Sequence, residues 1–245
     1  MIKKALILYT VSVTLITGCS IKKPQNKSDN KLNVFVTVIP QIGIVKQIGG
    51  QFVNVKALVT TGSCPETFSP SPIQIRGLSD ADVFISLGLP FEQSWLKKVS
   101  GAKSNINIKI MTDGIKFRQL EDAGDSDPHV WMSLRNSYIM AQNTAKILSE
   151  LMPQNTEYFN LNLKIYENKI KSADDKLKEK FKNIKDRNIY IFHPVFGYFA
   201  DDYGLKQIPI EMEGKEPSAK QLVELMSLFK KNNVKIIFVE PEFSS

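Results

Sequence analysis

From Thr156 to Ile184 the chain runs without a glycine or a proline. Apolar residues recur along it at Tyr158, Phe159, Leu161, Leu163, Ile165, Tyr166, Ile170, Leu177, Phe181 and Ile184. The spacing predicts one unbroken helix. At 1.5 Å per residue, a helix of about 29 residues would be about 43 Å long. That is longer than one small lobe needs, which suits a helix lying across two. The apolar positions keep no clean heptad, which argues against a solitary coiled-coil strand.

Both flanks alternate strand and helix. On the N-terminal side, strand patterns fall at Leu32–Val38, Phe52–Val59, Asp82–Leu87 and Ile106–Met111. Between them lie helical patterns at Pro40–Ile48, at a short segment starting at Pro72 with Ser71 as its cap, and at Phe91–Val99. Thr60–Pro72 is turn-rich, and Gly114–Asp127 is an acidic, polar loop. A helix at Asn136–Leu151 follows and is broken by Pro153. On the C-terminal side, strands are expected at Ile189–Phe192, Gln207–Glu211 and Lys235–Val239. Helices are expected at Val195–Tyr203, stopped by Gly204, and at Ser218–Lys231. Alternation of this kind predicts an α/β protein with parallel sheets. The expected organisation is an N-terminal α/β lobe at 32–152, a linker helix at 153–186 and a partial C-terminal α/β lobe at 187–245. A buried parallel strand normally leads into a covering crossover helix. After Val239 the sequence is Glu240-Pro241-Glu242-Phe243-Ser244-Ser245, so the second lobe reads as incomplete.

The first 31 residues lie outside this pattern. Lys3 and Lys4 precede an apolar run at Ala5–Ile16 that is too short for a comfortable transmembrane span. The run ends Leu15-Ile16-Thr17-Gly18-Cys19, which resembles a bacterial lipobox. The resemblance implies a signal peptide at 1–18, cleavage before Cys19, and lipidation of the Cys19 thiol as a membrane anchor. Ile21–Lys31 is polar and reads as a flexible tether. With Cys19 lipidated, Cys64 has no second cysteine in the chain and no internal disulfide is expected.

The formal charge of +7 is spread over scattered lysines, with no arginine stripe or aromatic-interleaved basic patch. Nucleic acid is therefore not an expected partner. No glycine-rich phosphate loop and no Gly-x-Ser-x-Gly elbow is present.

The chain holds two histidines. His193 follows the strand Ile189–Phe192 and precedes Pro194 and a helical pattern. That places it at the carboxyl edge of a sheet, where open α/β folds bind ligands. His129 lies in Asp127-Pro128-His129-Val130-Trp131. With Glu66 from the turn-rich loop, these two imidazoles make a candidate site for a divalent transition metal. Long spacings make the pattern weak by itself. Cys64 is a candidate soft ligand, although a small loop residue explains it as well. Glu121, Asp122, Asp125 and Asp127 either draw cations towards His129 or form an ordinary solvated loop. Trp131 and Phe196 are expected to pack around the site.

Several blocks in order resemble the solute-binding lipoproteins of zinc/manganese ABC transporters, the cluster A-I metal-binding proteins. They are Gly62–Pro72, Leu78-Ser79-Asp80-Ala81-Asp82, Asp127-Pro128-His129-Val130-Trp131 and His193-Pro194-Val195-Phe196-Gly197-Tyr198-Phe199. Tyr203-Gly204-Leu205, Glu216-Pro217-Ser218-Ala219-Lys220 and Ile237-Phe238-Val239-Glu240-Pro241 complete the set. The resemblance implies two α/β lobes joined by one long rigid helix, with the metal between them. It implies ligands at Glu66, where many members have histidine, at His129 and at His193. The family's usual fourth ligand, an aspartate, has no counterpart here, so His193 is expected to be the protein ligand from the second lobe. The implied function is extracytoplasmic capture of Zn²⁺ or Mn²⁺ as transported ligand, on a lipid-anchored protein that delivers it to an ABC-transporter permease. Capture of this kind is expected to weaken as pH falls through the ordinary histidine range. Two other readings are a metal-dependent hydrolase and a non-transport surface adhesin. The first would need a general base beside the metal, and the sequence identifies none.

Overall fold

A computed structural model of the chain describes residues 31–61, 68–93, 96, 106–120, 126–211 and 217–239. Its centre is a parallel four-stranded sheet of β1 (Leu32–Val36), β2 (Val53–Ala57), β3 (Val83–Ser86) and β4 (Ile108–Ile110), in the order β2-β1-β3-β4. The central strands β1 and β3 are apolar because helices cover both faces of the sheet. Val34 and Val36 face one side, where they join a core with Ile44, Val45, Ile48, Met140, Leu148 and Phe159. Phe35 faces the other side, against a smaller cluster of Leu58, Leu78 and Phe84.

Helix α1 (Ile39–Gly49) starts with a proline in its first turn and buries Gln41, Ile44, Val45 and Ile48. Helix α2 (Pro72–Ser79) is capped by Ser71 as the sequence predicts: the Ser71 hydroxyl accepts from Gln74 N, and Gln74 Oε1 accepts from Ser71 N. This reciprocal pair satisfies two backbone donors that the first turn would otherwise orphan. Helix α3 (Leu134–Leu151) is capped by Ser133 and packs along α4 (Thr156–Phe181), with α1 against both.

Helix α4 is the rod expected from the sequence, although it ends at Phe181 and the next residues form a turn. Its 26 residues span about 39 Å. Phe159, near its start, is fully buried in the main core, whereas Phe181 at its end meets Phe199 edge-on at 5.7 Å. One helix thus serves both sheets. The second sheet pairs β5 (Asn188–Ile191) with β6 (Lys206–Pro209) in parallel, with α5 (Gly197–Tyr203) between them and α6 (Ala219–Lys231) after them. Gly204 ends α5 at φ +63°, a left-handed cap that favours glycine.

Near the second histidine the structure also departs from the sequence reading. Helix α5 begins at Gly197, because Val195 and Phe196 form the turn out of the strand. Strand β6 stops at Pro209, which leaves Glu211 just past its end. Lys235–Val239 is not a full strand: it makes one bridge, Phe238 to Ile191. Ile236, Ile237, Phe238 and Val239 are 40–65% exposed, so little burial fixes a register there. Among the described residues, no helix is long and apolar enough to cross a membrane.

Candidate metal centre

The two histidines meet. Their ring centroids are 5.2 Å apart and the rings stand at 80°. Two imidazoles on one tetrahedral zinc, at about 2.0–2.1 Å per nitrogen, would place their centroids roughly 5 Å apart. Spacing alone does not reveal this approach, because the two residues belong to different parts of the fold, although the family resemblance implies it.

Each ring is backed by a carboxylate. His129 Nδ1 lies 2.9 Å from Asp127 Oδ1, and His129 N donates to the same oxygen at 2.9 Å. His193 Nδ1 is hydrogen-bonded to Glu211 Oε1. A carboxylate at Nδ1 favours the tautomer with its proton there, which leaves the lone pair on Nε2. Trp131 stands edge-on to His129 at 5.4 Å, as expected of a residue packed beside the site. Phe196 packs on Phe199 at 5.8 Å and on Phe238 at 6.2 Å.

Asp127 is not part of a solvated loop. It is fully buried, although the preceding sequence is polar. Its Oδ1 serves His129, whereas Oδ2 has no hydrogen bond and faces Arg118 Nη1 at 3.6 Å, an ion-pair distance. Arg118 Nε in turn pairs with Asp201 of α5 at 2.9 Å. Tyr198, also of α5, ties the same loop: its hydroxyl donates to the Asp127 carbonyl at 2.9 Å and accepts from Arg118 N at 2.9 Å. Burial is the main cause that pushes the Tyr198 phenol up to about 12, so it remains a donor at any physiological pH. Ser133 Oγ adds a third tie, donating to Asp202 Oδ2 at 2.6 Å.

Tyr198→Phe is expected to leave Arg118 N and the Asp127 carbonyl without this partner. It should lower stability by about 1–3 kcal/mol. Urea unfolding of parent and variant measures it, and equal midpoints would show that the tie contributes nothing.

Glu66, Cys64 and Cys19 lie outside the described residues, as do Glu121, Asp122 and Asp125. Among the described residues, no three His, Cys, Asp or Glu side chains are grouped to hold a metal ion. What is described is therefore the imidazole pair with its two backing carboxylates. The sequence reading missed Glu211 altogether. The signal that would have found it is register: His193 and Glu211 each stand two residues beyond the paired positions Ile191 and Pro209.

An α/β scaffold that brings two carboxylate-backed imidazoles together in a near-perpendicular pair has the chemistry of a metal-binding protein. Residues 34–245 match the family model described as zinc-uptake complex component A, periplasmic, and the chain belongs to that family. It is 32% identical over 251 residues to the manganese ABC transporter substrate-binding lipoprotein PsaA of Streptococcus mitis, covering 96% of this chain and 80% of that protein. It is 30% identical over 259 residues to the zinc-binding lipoprotein AdcA of Streptococcus pneumoniae (strain ATCC BAA-255 / R6), covering 99% of this chain but 51% of AdcA. Among solved structures, the crystal structure of ZnuA superposes with a TM-score of 0.82 at 36% identity, over 87% of this chain and 84% of that one. The family places the protein outside the cytoplasm, among lipoproteins of metal ABC transporters.

Proposed function

We propose that the chain captures a divalent transition-metal ion, zinc or manganese, and delivers it to the permease of an ABC transporter. Cys19 is the lipid anchor in this reading, and Glu66, His129 and His193 are the protein ligands. The imidazole pair, 5.2 Å between centroids, is the observation that carries it. Relatives named for zinc and for manganese make both ions candidates. Two imidazoles favour zinc, whereas a carboxylate at Glu66 makes a harder ion more acceptable. A transported ion needs ligands that hold it without chemistry, and carboxylates committed to Nδ1 atoms are poorly placed to activate a water.

Calorimetry on metal-depleted protein tests the reading. His129→Ala and His193→Ala are each expected to weaken zinc binding at least about tenfold, in line with the loss of an oriented ligand. Zinc affinity that survives both substitutions together would overturn it.

A further inference from the structure

The second sheet places a buried carboxylate against the second histidine. Strands β5 and β6 are parallel, with Asn188 opposite Lys206 and Ile191 opposite Pro209. Beyond the strands the backbones stay paired: Ile210 N donates to Ile191 O at 2.9 Å and Glu211 N to Phe192 O at 3.1 Å. The same register therefore brings Glu211 beside His193 at the carboxyl edge, and its Oε1 meets His193 Nδ1. Glu211 is 6% exposed. A carboxylate buried to that degree is costly unless it is paired. Among the described residues no lysine or arginine lies within ion-pair distance of Glu211, and its carboxylate meets the His193 imidazole.

The arrangement repeats, by a different route, what Asp127 does for His129. Asp127 is local, two residues before its histidine, and its position follows from the turn that carries both. Glu211 comes from the neighbouring strand, 18 residues on. Carboxylates in this position fix the tautomer and ring orientation of a ligating histidine and raise its basicity.

We infer that Glu211 is the positioning residue for His193, holding its Nδ1 so that Nε2 is presented to the transported metal. The inference rests on His193 being a ligand, as proposed above. Glu211 itself does not ligate: its oxygen is committed to the imidazole, on the side of the ring away from Nε2.

The test uses the purified full chain, with zinc alone as the probe, and compares parent, His193→Ala, Glu211→Ala and Glu211→Gln. Glu211→Ala is expected to weaken zinc binding about 10–100-fold. Glu211→Gln should recover most of that loss, because the amide carbonyl still accepts the Nδ1 proton. Two histidines in the chain make ring-nitrogen NMR simple to assign. In the zinc-bound parent, His193 should carry its proton on Nδ1 and its metal on Nε2. Glu211→Ala should disturb that signature at His193 and leave His129 as it was.

Zinc affinity unchanged by Glu211→Ala, with His193→Ala weakening it, would overturn the inference and leave the proposed function standing. A Glu211→Gln variant as weak as Glu211→Ala, with the His193 tautomer unaltered, would also overturn it, because that is the behaviour of a direct ligand. Zinc affinity indifferent to His193→Ala would remove the parent reading and this one with it. Should Glu211→Ala fail to fold, the affinity and the His193 signature of Glu211→Gln decide: both near the parent support the inference, and either one lost overturns it.

Discussion

Replacing Glu92 with alanine is expected to destabilise the chain by roughly 3–5 kcal/mol, enough to unfold a marginal protein. Glu92 is fully buried. Its Oε1 accepts from the Thr37 hydroxyl and from Leu87 N at 2.9 Å, and its Oε2 from Leu89 N at 2.8 Å. One carboxylate thus joins the carboxyl ends of β1 and β3. Alanine would strand three buried donors, each costing about 1–3 kcal/mol when unsatisfied. Glu92→Gln is milder, because its carbonyl keeps two of the three donors and its amide faces one N–H.

The same residue carries a pH effect of definite sign. Burial is the largest influence on the Glu92 carboxyl and raises it above the ordinary carboxylate value of 4.5, against the lowering effect of its hydrogen bonds. Between the ordinary value and the raised one, the folded chain binds more protons than the unfolded chain. Stability attributable to Glu92 must then fall as pH rises through that window. Chemical unfolding of parent and Glu92→Gln across the window measures it. The difference between them should shrink with increasing pH, and a constant difference would contradict the assignment.

Gly197→Ala is expected to weaken zinc binding tenfold or more while lowering stability by about 1–3 kcal/mol. A Cβ at this position would lie 2.6 Å from Asp127 Oδ2 and 2.6 Å from Arg118 Nη1. Arg118 is partly exposed and has room to move, although that would weaken its pairing with Asp127. Asp127 cannot, because its Oδ1 holds both the backbone N and Nδ1 of His129. The added methyl therefore acts on the His129 ring through the carboxylate that backs it. Zinc calorimetry with a thermal melt on each protein checks this. A variant that loses stability but keeps zinc affinity would show that Asp127 can shift without moving the imidazole.

Much of the scaffold was legible because it depends on local chemistry. Ser71 before Pro72 and Gly204 after Tyr203 mark helix ends through caps that need no distant partner. The stretch after Pro153 marks the rod, because it holds no glycine or proline to interrupt the helical spacing, although the helix ends at Phe181 without either. Lys235–Val239 shows the opposite case. Its β-branched residues favour a strand, but it makes a single bridge and its side chains stay exposed, and propensity without burial does not build a ladder. Asp127 was legible as an acid and not as a buried one, since burial depends on Tyr198 and Arg118 closing over it.

The α/β alternation, the long helix and the two histidines can be read along the chain, because periodicity, capping and composition are local properties. Only the tertiary structure decided that those histidines stand 5.2 Å apart and which carboxylate backs each one. The physical reason lies in the parallel sheets. Residues far apart in the chain become neighbours through strand register and helix packing, and neither is written in any single stretch of sequence.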